Sequence, residues 1–318
     1  MEKIKVKKIK VAILGATSHI AKGLILNFCK NDIHELYLFA RSPQKVSDFL
    51  LSNNLNKAYH INALSKFGKE KYDVIINCVG IGDPNLLKGQ GTSIFELTET
   101  YDNMVLDHLR RNKNTIYINF SSGAVYGKEF LFAANANSAN HIYVNKIDQT
   151  CYYSIAKLNS EAKHRSYRDL RIIDLRVFAY FSRFIDLKAK YLMAEIINAI
   201  KERKVFLTGK NDIVRDYIGS EDLFSLVCCC IKKRMNGAYD IYSRKPVRKF
   251  EILENFQKRF GLDYKISKAT KFLSSTGSKN IYCSKNKKVR KLGYVPKYNS
   301  LELLIKETEE LLAKRGGW

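Results

Sequence analysis

Uninterrupted runs of apolar, largely β-branched residues alternate along the first half of this chain with longer stretches that have an apolar residue every three or four positions. The runs are KVAILGA (10–16), LYLFAR (36–41), DVIINCVG (73–80), TIYINFSS (115–122) and IIDLRVF (172–178). A strand that is apolar on both faces needs cover on both faces, as in a parallel sheet between two layers of helices. The stretches 19–30, 94–112 and 153–168 have the spacing of crossover helices. The pattern therefore predicts a doubly wound α/β domain.

The first predicted strand leads directly into a turn of small residues. KVAIL ends at Gly15 and a predicted helix follows within a few residues, so that backbone N–H groups at the helix N-terminus are available to an anion. Gly15 stands where the backbone must approach closely, and Ser18 and Ala21 stand where an all-glycine turn would have Gly. The turn predicts a binding site for the pyrophosphate of a dinucleotide, as in a Rossmann-type domain.

The end of the second predicted strand bears on which dinucleotide binds. This strand ends in Ala40-Arg41-Ser42, without an acidic residue. An acid at this place accepts hydrogen bonds from a free ribose 2′-hydroxyl, whereas an Arg suits a 2′-phosphate. Arg41 therefore favours NADP(H) as the cofactor, with NAD(H) as the alternative. Asn62, after the third predicted strand, is a candidate contact to the adenine edge.

Two segments carry a candidate catalytic group. Tyr153 and Lys157 are four residues apart on a predicted helix, so their side chains share a face and the ammonium group can favour the ionised form of the phenol. Such a tyrosine can act as a proton shuttle. Ser122, at the end of the fourth clear strand, would donate a hydrogen bond to the substrate oxygen whose carbon exchanges hydride with a nicotinamide.

Charge and cysteine content narrow the class of protein. The chain has 55 Lys and Arg against 31 Asp and Glu, a formal net charge of +24 that favours an anionic partner. The basic residues are spread along the chain rather than interleaved with aromatic residues in one block, so nucleic acid is not the expected partner.

The seven cysteines have no repeated C-x-x-C spacing, so neither disulfides nor a metal site is expected. No run approaches the roughly 20 apolar residues of a spanning helix, and the start lacks an apolar signal region. We expect a cytoplasmic protein, with contact to an anionic membrane surface left open.

After residue 180 the strands become short and the pattern less regular, which predicts a smaller α+β lobe that binds the substrate. The expected elements are a helix near 186–203, a strand at 205–209, a helix at 221–233, a unit at 237–243, a helix at 249–260 and a final helix at 300–315. The predicted boundaries are a dinucleotide-binding domain over 1–178, to which 210–236 returns, and a substrate lobe over 179–209 and 237–318. With 318 residues, the chain is long enough for both units.

Several segments together carry a family resemblance. They are GATSHIAKG, DVIINCVG, SSGAVYG, YYSIAKLNSE, DLRVF, GKNDIVRDYIGSEDL and the ending KKVRKLGYVPKYNSLELLIKETEEL. The combination resembles the extended short-chain dehydrogenase/reductase family of nucleotide-sugar epimerases, dehydratases and reductases. The resemblance implies that Ser122, Tyr153 and Lys157 are the catalytic trio, that Asn103 supports the site and that Arg215 faces the diphosphate of a nucleotide sugar. Along the cofactor it implies Gly15, Thr17, Ser18, His19, Ile20 and Arg41. The predicted cofactor contacts also include Asn62, Val79 and Lys157.

The chain also departs from the family pattern. Gly123 and Ala124 follow Ser122 where the 4,6-dehydratases of the family carry an acid pair, which argues against a dehydratase. The usual Asn after the sixth strand and the Y-G-P that follows it are replaced, so that Tyr180 and Arg183 are candidates for compensating substrate contacts. Tyr191, Met193 and the lysines around 268–279 are further candidates for lining the sugar-nucleotide pocket.

The function that the resemblance most favours is an NADPH-dependent 4-keto reductase of a nucleotide-activated deoxyhexose. The alternative is a 4-epimerase that retains NAD. A third class, a non-catalytic NADP sensor or a nucleic-acid binder, would explain the charge but leaves the Ser, Tyr and Lys set without a purpose. The resemblance also implies a homodimer formed through helices 94–112 and 153–168, and most often a role in the synthesis of bacterial surface polysaccharide.

Overall fold

The computed structural model of the protein describes residues 8–30, 33–55, 59–80, 93–127, 129–267 and 279–313. In these ranges the strands are β1 (Ile9–Leu14), β2 (His34–Ala40), β3 (His60–Ala63), β4 (Val74–Asn77), β5 (Ile116–Ser122), β6 (Arg171–Val177), β7 (Ala179–Tyr180), β8 (Phe206–Thr208), β9 (Val214–Arg215), β10 (Tyr217–Ile218), β11 (Gly237–Asp240), β12 (Val247–Arg248), β13 (Tyr264–Ile266) and β14 (Ile281–Tyr282). The helices are α1 (His19–Phe28), α2 (Pro43–Ser52), α3 (Ser93–Arg111), α4 (Gln149–Ser166), α5 (Leu192–Glu202), α6 (Ser220–Lys233), α7 (Lys249–Phe260) and α8 (Ser300–Ala313).

Seven strands form one sheet in the order β11-β6-β5-β4-β1-β2-β3, and every neighbouring pair is parallel. Strand β1 shows why its sequence is apolar throughout. Val11 and Ile13 pack in the core that contains residues of α1, α2 and α6, whereas Ala12 and Leu14 pack in the core that contains residues of α3. The predicted Rossmann-type α/β fold, with helices on both faces of a parallel sheet, is confirmed.

One strand of the large sheet corrects the predicted domain boundary. The sequence assigns residues 237–318 to the smaller lobe, but β11 pairs in parallel with β6 and forms an edge of the large sheet. Strand β5 occupies only one side of β6, so the other side is open to a short strand that follows α6. A strand of four residues carries no periodicity that tells which sheet it joins. Tyr239 and the adjoining Ile241 accordingly lie in the core of the large sheet.

A second hydrophobic core defines the smaller α+β lobe. Helices α5, α7 and α8 bring together fully buried side chains such as Ile196, Phe256 and Leu304. Three small sheets accompany them: β12-β9-β14, β8 with β13, and β7 with β10. Helix α6 packs instead on α1, and its Leu226 and Val227 belong to the core of the large sheet.

Two helices begin at other residues than the sequence predicts, because the periodicity of apolar residues does not show where a helix is capped. The helix expected from residue 153 begins at Gln149, because the side chain of Asp148 caps it by accepting from the Thr150 N–H at 2.8 Å. The helix expected near 186–203 begins only at Leu192. Within the described ranges, no helix is both long and apolar enough to cross a bilayer.

Candidate active site

The site lies at the carboxyl edge of the large sheet, where the parallel strands β1, β2, β4 and β5 all end. Because the strands are parallel and in register, the residues that follow Leu14, Asn77 and Ser122 come to the same edge. Ligands of open α/β sheets bind at this edge.

Gly15 makes the turn after β1 possible. Its φ of +72° lies in the left-handed region that favours glycine, and a Cβ there would lie 2.9 Å from the carbonyl carbon and oxygen of Cys78 and 3.0 Å from the Val79 nitrogen. Another side chain would therefore push β1 and β4 apart. The Ala16 N–H also donates to the Phe39 carbonyl at 3.0 Å, which ties the turn to the end of β2.

The turn delivers the chain into α1 with its N-terminus facing the same edge. Ser18 is the N-cap, and its hydroxyl accepts from the Ala21 N–H at 3.3 Å. Thr17 lies in the turn itself, and Ile20 is half-buried against the large core. A helix N-terminus presents unpaired N–H groups and a partial positive charge, which suits the pyrophosphate of a dinucleotide. The turn, with the close backbone approach at Gly15, fits the cofactor that the sequence predicts.

His19 has a different environment from the one expected of a residue along the cofactor. Its Nε2 lies 2.8 Å from the Ser182 hydroxyl and 3.3 Å from the Ser182 carbonyl oxygen, and its ring meets Tyr180 edge-on with the centroids 4.7 Å apart. Burial lowers the pKa of His19 to about 4, so the imidazole is neutral. The side chain joins α1 to the segment after β7.

Tyr180 and Arg183, the predicted substrate contacts, lie in the same region and both contact other parts of the protein. A Cβ on Gly23 would lie 2.2 Å from the Tyr180 hydroxyl oxygen, so Tyr180 packs over α1. Arg183 is used by two carboxylates of α8: its Nη2 lies 2.9 Å from Glu307 Oε1, and its Nη1 pairs with Glu310. The guanidinium therefore already has two carboxylate partners, and no feature of the sequence places α8 beside residue 183.

The residues expected at the adenosine end lie at the predicted edge. Arg41 is exposed immediately after β2, and none of the described residues forms an ion pair with it. Asn62 is half-buried in β3, opposite Phe39 of β2. The Val79 N–H donates to the Asn77 side chain at 3.0 Å, which fixes the backbone beside Gly15.

The Ser, Tyr and Lys residues come from β5 and α4, which pack together. Ser122 is buried at the end of β5, and the Ala124 N–H donates to its hydroxyl oxygen at 3.1 Å. Lys157 is buried in α4, and its ammonium group donates to the Phe120 carbonyl at 2.9 Å. A Cβ on Gly80 would lie 3.9 Å from Lys157 Nζ, so this ammonium reaches the loop after β4.

Tyr153 is half-buried one helical turn before Lys157. The neighbouring Tyr152 points to α3, where its ring lies 5.6 Å from that of Phe95. Burial raises the pKa of Tyr282, and Tyr153 adds to the rise. Tyr282 lies 3.2 Å from Ser122, from hydroxyl oxygen to hydroxyl oxygen.

An ion-pair network behind the site was not part of the sequence prediction. Glu161, one turn beyond Lys157, accepts from the Ser121 hydroxyl at 2.5 Å and pairs with Arg176 at 2.6 Å. Arg176 continues to Asp240 of β11 at 3.2 Å. The sequence contains one signal for this network: Glu161 follows Lys157 by four residues and therefore lies on the same face of the helix. The network fixes α4 against β5 and β6.

A second buried cluster joins α3, α4 and β6. His164 Nε2 lies 2.7 Å from Asp102 Oδ1, and its Nδ1 lies 2.8 Å from Asp174 Oδ1. Burial opposes a charge on His164, but the two carboxylates outweigh it and raise its pKa to about 9. Asn103 does not face this interior: it is exposed on α3 and accepts from Lys163 Nζ at 2.8 Å.

Arg215 lies in β9 of the smaller lobe and is half-buried. Its Nη1 donates to the carbonyl oxygens of Val214 and Lys279, both at 2.8 Å. No carboxylate among the described residues pairs with it, and burial lowers its pKa. The Lys279 ammonium is buried close by, where burial and the charge of Arg215 lower its pKa to about 7. Two neighbouring cations of this kind suit an anionic group such as a diphosphate.

The remaining candidates are placed as follows. Met193 is buried in the core of the smaller lobe and Tyr191 packs against that core. Of the lysines around 268–279, Lys268 and Lys271 lie outside the described residues. None of the seven cysteines forms a disulfide, and no group of three or more His, Cys, Asp or Glu side chains in the described ranges is arranged to hold a metal ion.

The strand order and the glycine turn at the carboxyl edge place the protein in the class of Rossmann-type dinucleotide-binding proteins. Residues 11–243 match the model of the NAD dependent epimerase/dehydratase family, and the chain belongs to that family. The resemblance that the sequence motifs indicated is thereby confirmed. No curated protein matches the sequence.

Solved structures of nucleotide-sugar enzymes share the fold. UDP-glucose 4-epimerase from Thermotoga maritima superposes with a TM-score of 0.79 at 14% identity, covering 96% of this chain and 100% of that one. UDP-glucuronic acid 4-epimerase from Bacillus cereus, in complex with NAD and a fluorinated UDP-sugar, gives 0.75 at 16% identity, covering 96% and 99%. dTDP-glucose 4,6-dehydratase from Bacillus anthracis, in complex with NAD, gives 0.74 at 14% identity, covering 95% and 96%. At these identities the likeness shows the fold.

Proposed function

We propose that the protein is an NADP-dependent oxidoreductase of nucleotide sugars, and specifically a 4-keto reductase of a nucleoside-diphosphate deoxyhexose. The observation that carries the proposal is the meeting of Ser122 and Lys157 at the edge where the Gly15 turn opens, with Tyr153 one helical turn before Lys157 on α4. Family membership and the nucleotide sugars held by structural neighbours support the substrate class.

The proposed reaction needs one group that transfers a proton to the sugar oxygen and one that donates a hydrogen bond to it. When bound, the nicotinamide supplies the hydride that adds to C4. Tyr153 transfers its phenolic proton to O4, so that the ketone becomes a secondary alcohol. Ser122 donates a hydrogen bond to the same oxygen as negative charge develops there. The ammonium of Lys157, held by the Phe120 carbonyl, favours the ionised phenol that remains.

Recognition of the substrate is proposed to rest on the smaller lobe. Arg215 offers a guanidinium with no carboxylate partner among the described residues, and the Lys279 ammonium lies beside it. We propose that Arg215 binds the diphosphate. Tyr180 and Arg183 have no part in this proposal, because both are engaged within the protein.

The second candidate is a 4-epimerase with retained NAD, and the epimerases among the structural neighbours favour it. The two differ in what happens to the cofactor. A reductase must exchange its cofactor in every turnover, whereas an epimerase oxidises and reduces the same carbon and regenerates its own.

The deciding experiment measures the cofactor content of the freshly purified protein by mass spectrometry, before and after dialysis against NADPH or NADH. NADP(H) that exchanges, followed by NADPH oxidation with 4-keto nucleotide sugars, supports the reductase. Retained NAD that survives dialysis, with interconversion of 4-epimers, replaces it by the epimerase. Binding of neither dinucleotide contradicts both and favours a non-catalytic protein.

A further inference from the structure

A residue of the smaller lobe reaches the catalytic serine of the large domain. Tyr282 lies in β14, which runs parallel to β9 with Tyr282 opposite Arg215. Its side chain is buried, and its hydroxyl oxygen lies 3.2 Å from Ser122 Oγ, across 160 positions of sequence. The contact therefore forms only when both units of the chain have folded against each other.

The hydrogen bonds of Ser122 explain what this contact does. A serine hydroxyl has one proton and two acceptor lone pairs. The Ala124 N–H already donates to one lone pair at 3.1 Å. Burial raises the pKa of Tyr282, so its phenol stays protonated and can donate to the other. When Tyr282 is the donor of this pair, both lone pairs of the Ser122 oxygen are occupied, and the Ser122 proton can be donated to the substrate oxygen.

The surroundings of Tyr282 hold its ring in place. Phe130 meets it edge-on with the centroids 4.9 Å apart, and Phe178 lies 5.1 Å away. The Lys279 ammonium lies 4.3 Å from the centroid of the Tyr282 ring, a cation–π contact. Since Phe178 also fills the space above Gly123, the same aromatic group packs on the turn that follows Ser122.

We propose that Tyr282 is a positioning residue of this active site, whose hydroxyl donates to Ser122 and directs the Ser122 proton toward the substrate oxygen. The inference rests on the proposed function, since it assigns Tyr282 a part in the same reduction. A chain of hydrogen bonds polarises its members, so a donor behind Ser122 makes its O–H a stronger donor in front. The effect belongs to the transition state, where charge develops on the substrate oxygen.

The test compares Tyr282→Phe with wild type in steady-state turnover. The substitution keeps the ring and removes one oxygen. We expect kcat to fall about tenfold, with KM for the nucleotide sugar and the affinity for NADP changed less than about twofold. The matched control is Tyr294→Phe, which removes the same atom from a buried tyrosine whose hydroxyl donates to the Tyr242 carbonyl at 3.0 Å. Turnover of the control should equal that of wild type, and unchanged turnover in Tyr282→Phe overturns the inference.

A double-mutant cycle with Ser122→Ala separates positioning from direct contact. If Tyr282 acts through Ser122, then Tyr282→Phe causes no further loss of kcat once Ser122 has been replaced. A full additional tenfold loss in that background overturns the inference, because Tyr282 would then act without Ser122. The unfolding free energies of wild type, the two single variants and the double variant also give the coupling between the two hydroxyl groups. This second measurement needs no substrate. Zero coupling there overturns the inference as well.

The proposed function and this inference fail in different ways. An absence of turnover on every 4-keto nucleotide sugar, or turnover that survives Tyr153→Phe, contradicts the proposed function, and the Ser122–Tyr282 contact is then judged by the unfolding cycle alone. Turnover that depends on Tyr153 but not on Tyr282 leaves the proposed function intact and overturns only the inference.

Discussion

At the scale of single residues, a few atoms decide what the site can do. Lys157 is aimed by the Phe120 carbonyl, and Ser122 is aimed by the Ala124 N–H. Tyr153, half-buried at the rim of the site, is the group proposed to transfer the proton. Lys157 and Ser122 each have a neighbour that fixes the side chain before any ligand arrives, which lowers the cost of reaching the reactive arrangement.

Replacement of Tyr153 by Phe tests the proton transfer. The change removes only the phenolic oxygen from a half-buried ring, so the fold and the Gly15 turn are unaffected. We expect kcat to fall by about 100-fold or more with NADP affinity preserved, since general acid catalysis contributes about that much. Stopped-flow binding and steady-state turnover measure the two quantities separately. The adjacent Tyr152→Phe, whose ring packs on Phe95, is the control and should keep normal turnover.

Replacement of Arg41 by Ala tests the cofactor preference. The guanidinium is exposed at the end of β2 with no ion-pair partner among the described residues, so it is available to a ribose 2′-phosphate. We expect the dissociation constant for NADPH to rise about 10- to 100-fold, as for the loss of one charge-assisted hydrogen bond, and that for NADH to stay unchanged. Lys71→Ala removes the same charge from an exposed position before β4, at the opposite edge of the sheet. An equal loss in both variants would show that only the overall charge matters.

At the scale of elements, buried charged groups hold the catalytic helix in register. Glu161 and His164 both point inward from α4, one to Arg176 and the other to Asp102 and Asp174. Buried charges of this kind cost desolvation energy unless their partners are well placed. They therefore penalise any other register of α4, which is the helix that carries Tyr153 and Lys157.

The His164 cluster predicts a particular dependence of stability on pH. The two carboxylates raise the pKa of His164 from 6.5 to about 9, so its stabilising charge is fully present below about pH 6.5 and is lost as the pH rises through about 9. We expect the difference in unfolding free energy between wild type and His164→Gln to be largest near pH 6 and to shrink toward pH 9.5. Denaturant unfolding over this range measures it.

The control for this prediction is His60→Gln, since His60 is exposed and its one ion pair with a described residue is with Glu35 at 2.8 Å. Its difference from wild type should be small across the range. A His164 difference that stays constant from pH 6 to 9.5 would mean that the imidazole does not change its charge there, and that the paired carboxylates do not hold its proton as described.

At the scale of the whole molecule, two cores and one shared site have to be assembled. The core of the large sheet presents the Gly15 turn and Ser122, while the smaller lobe supplies Arg215 and Tyr282. Arg183 joins the segment after β7 to α8 through Glu307, and its ion pairs serve this assembly. Under the proposed function, cofactor binding belongs to one unit and substrate recognition to the junction of both.

We also predict that the molecule pairs with a second copy through α3 and α4. Helix α4 carries half-buried apolar side chains that belong to none of the described cores, among them Ile155 and Leu158. Sedimentation velocity at micromolar concentration should show a dimer, and Leu158→Glu should shift it to monomer, because a charge would be buried at the interface. Leu51→Glu, on the exposed side of α2, is the control and should remain dimeric. A monomeric wild type contradicts the prediction.

The sequence by itself determined the large sheet, the glycine turn and the Ser, Tyr and Lys residues, because these depend on local periodicity and on spacing within single elements. Runs that are apolar on both faces require cover on both faces, and a four-residue step on a helix places Tyr153 and Lys157 on one side. Only the tertiary structure decided the position of β11, the capture of Arg183 by Glu307 and the approach of Tyr282 to Ser122. These contacts join residues 64 to 160 positions apart, and such pairings follow from how the two cores pack rather than from any pattern along the chain.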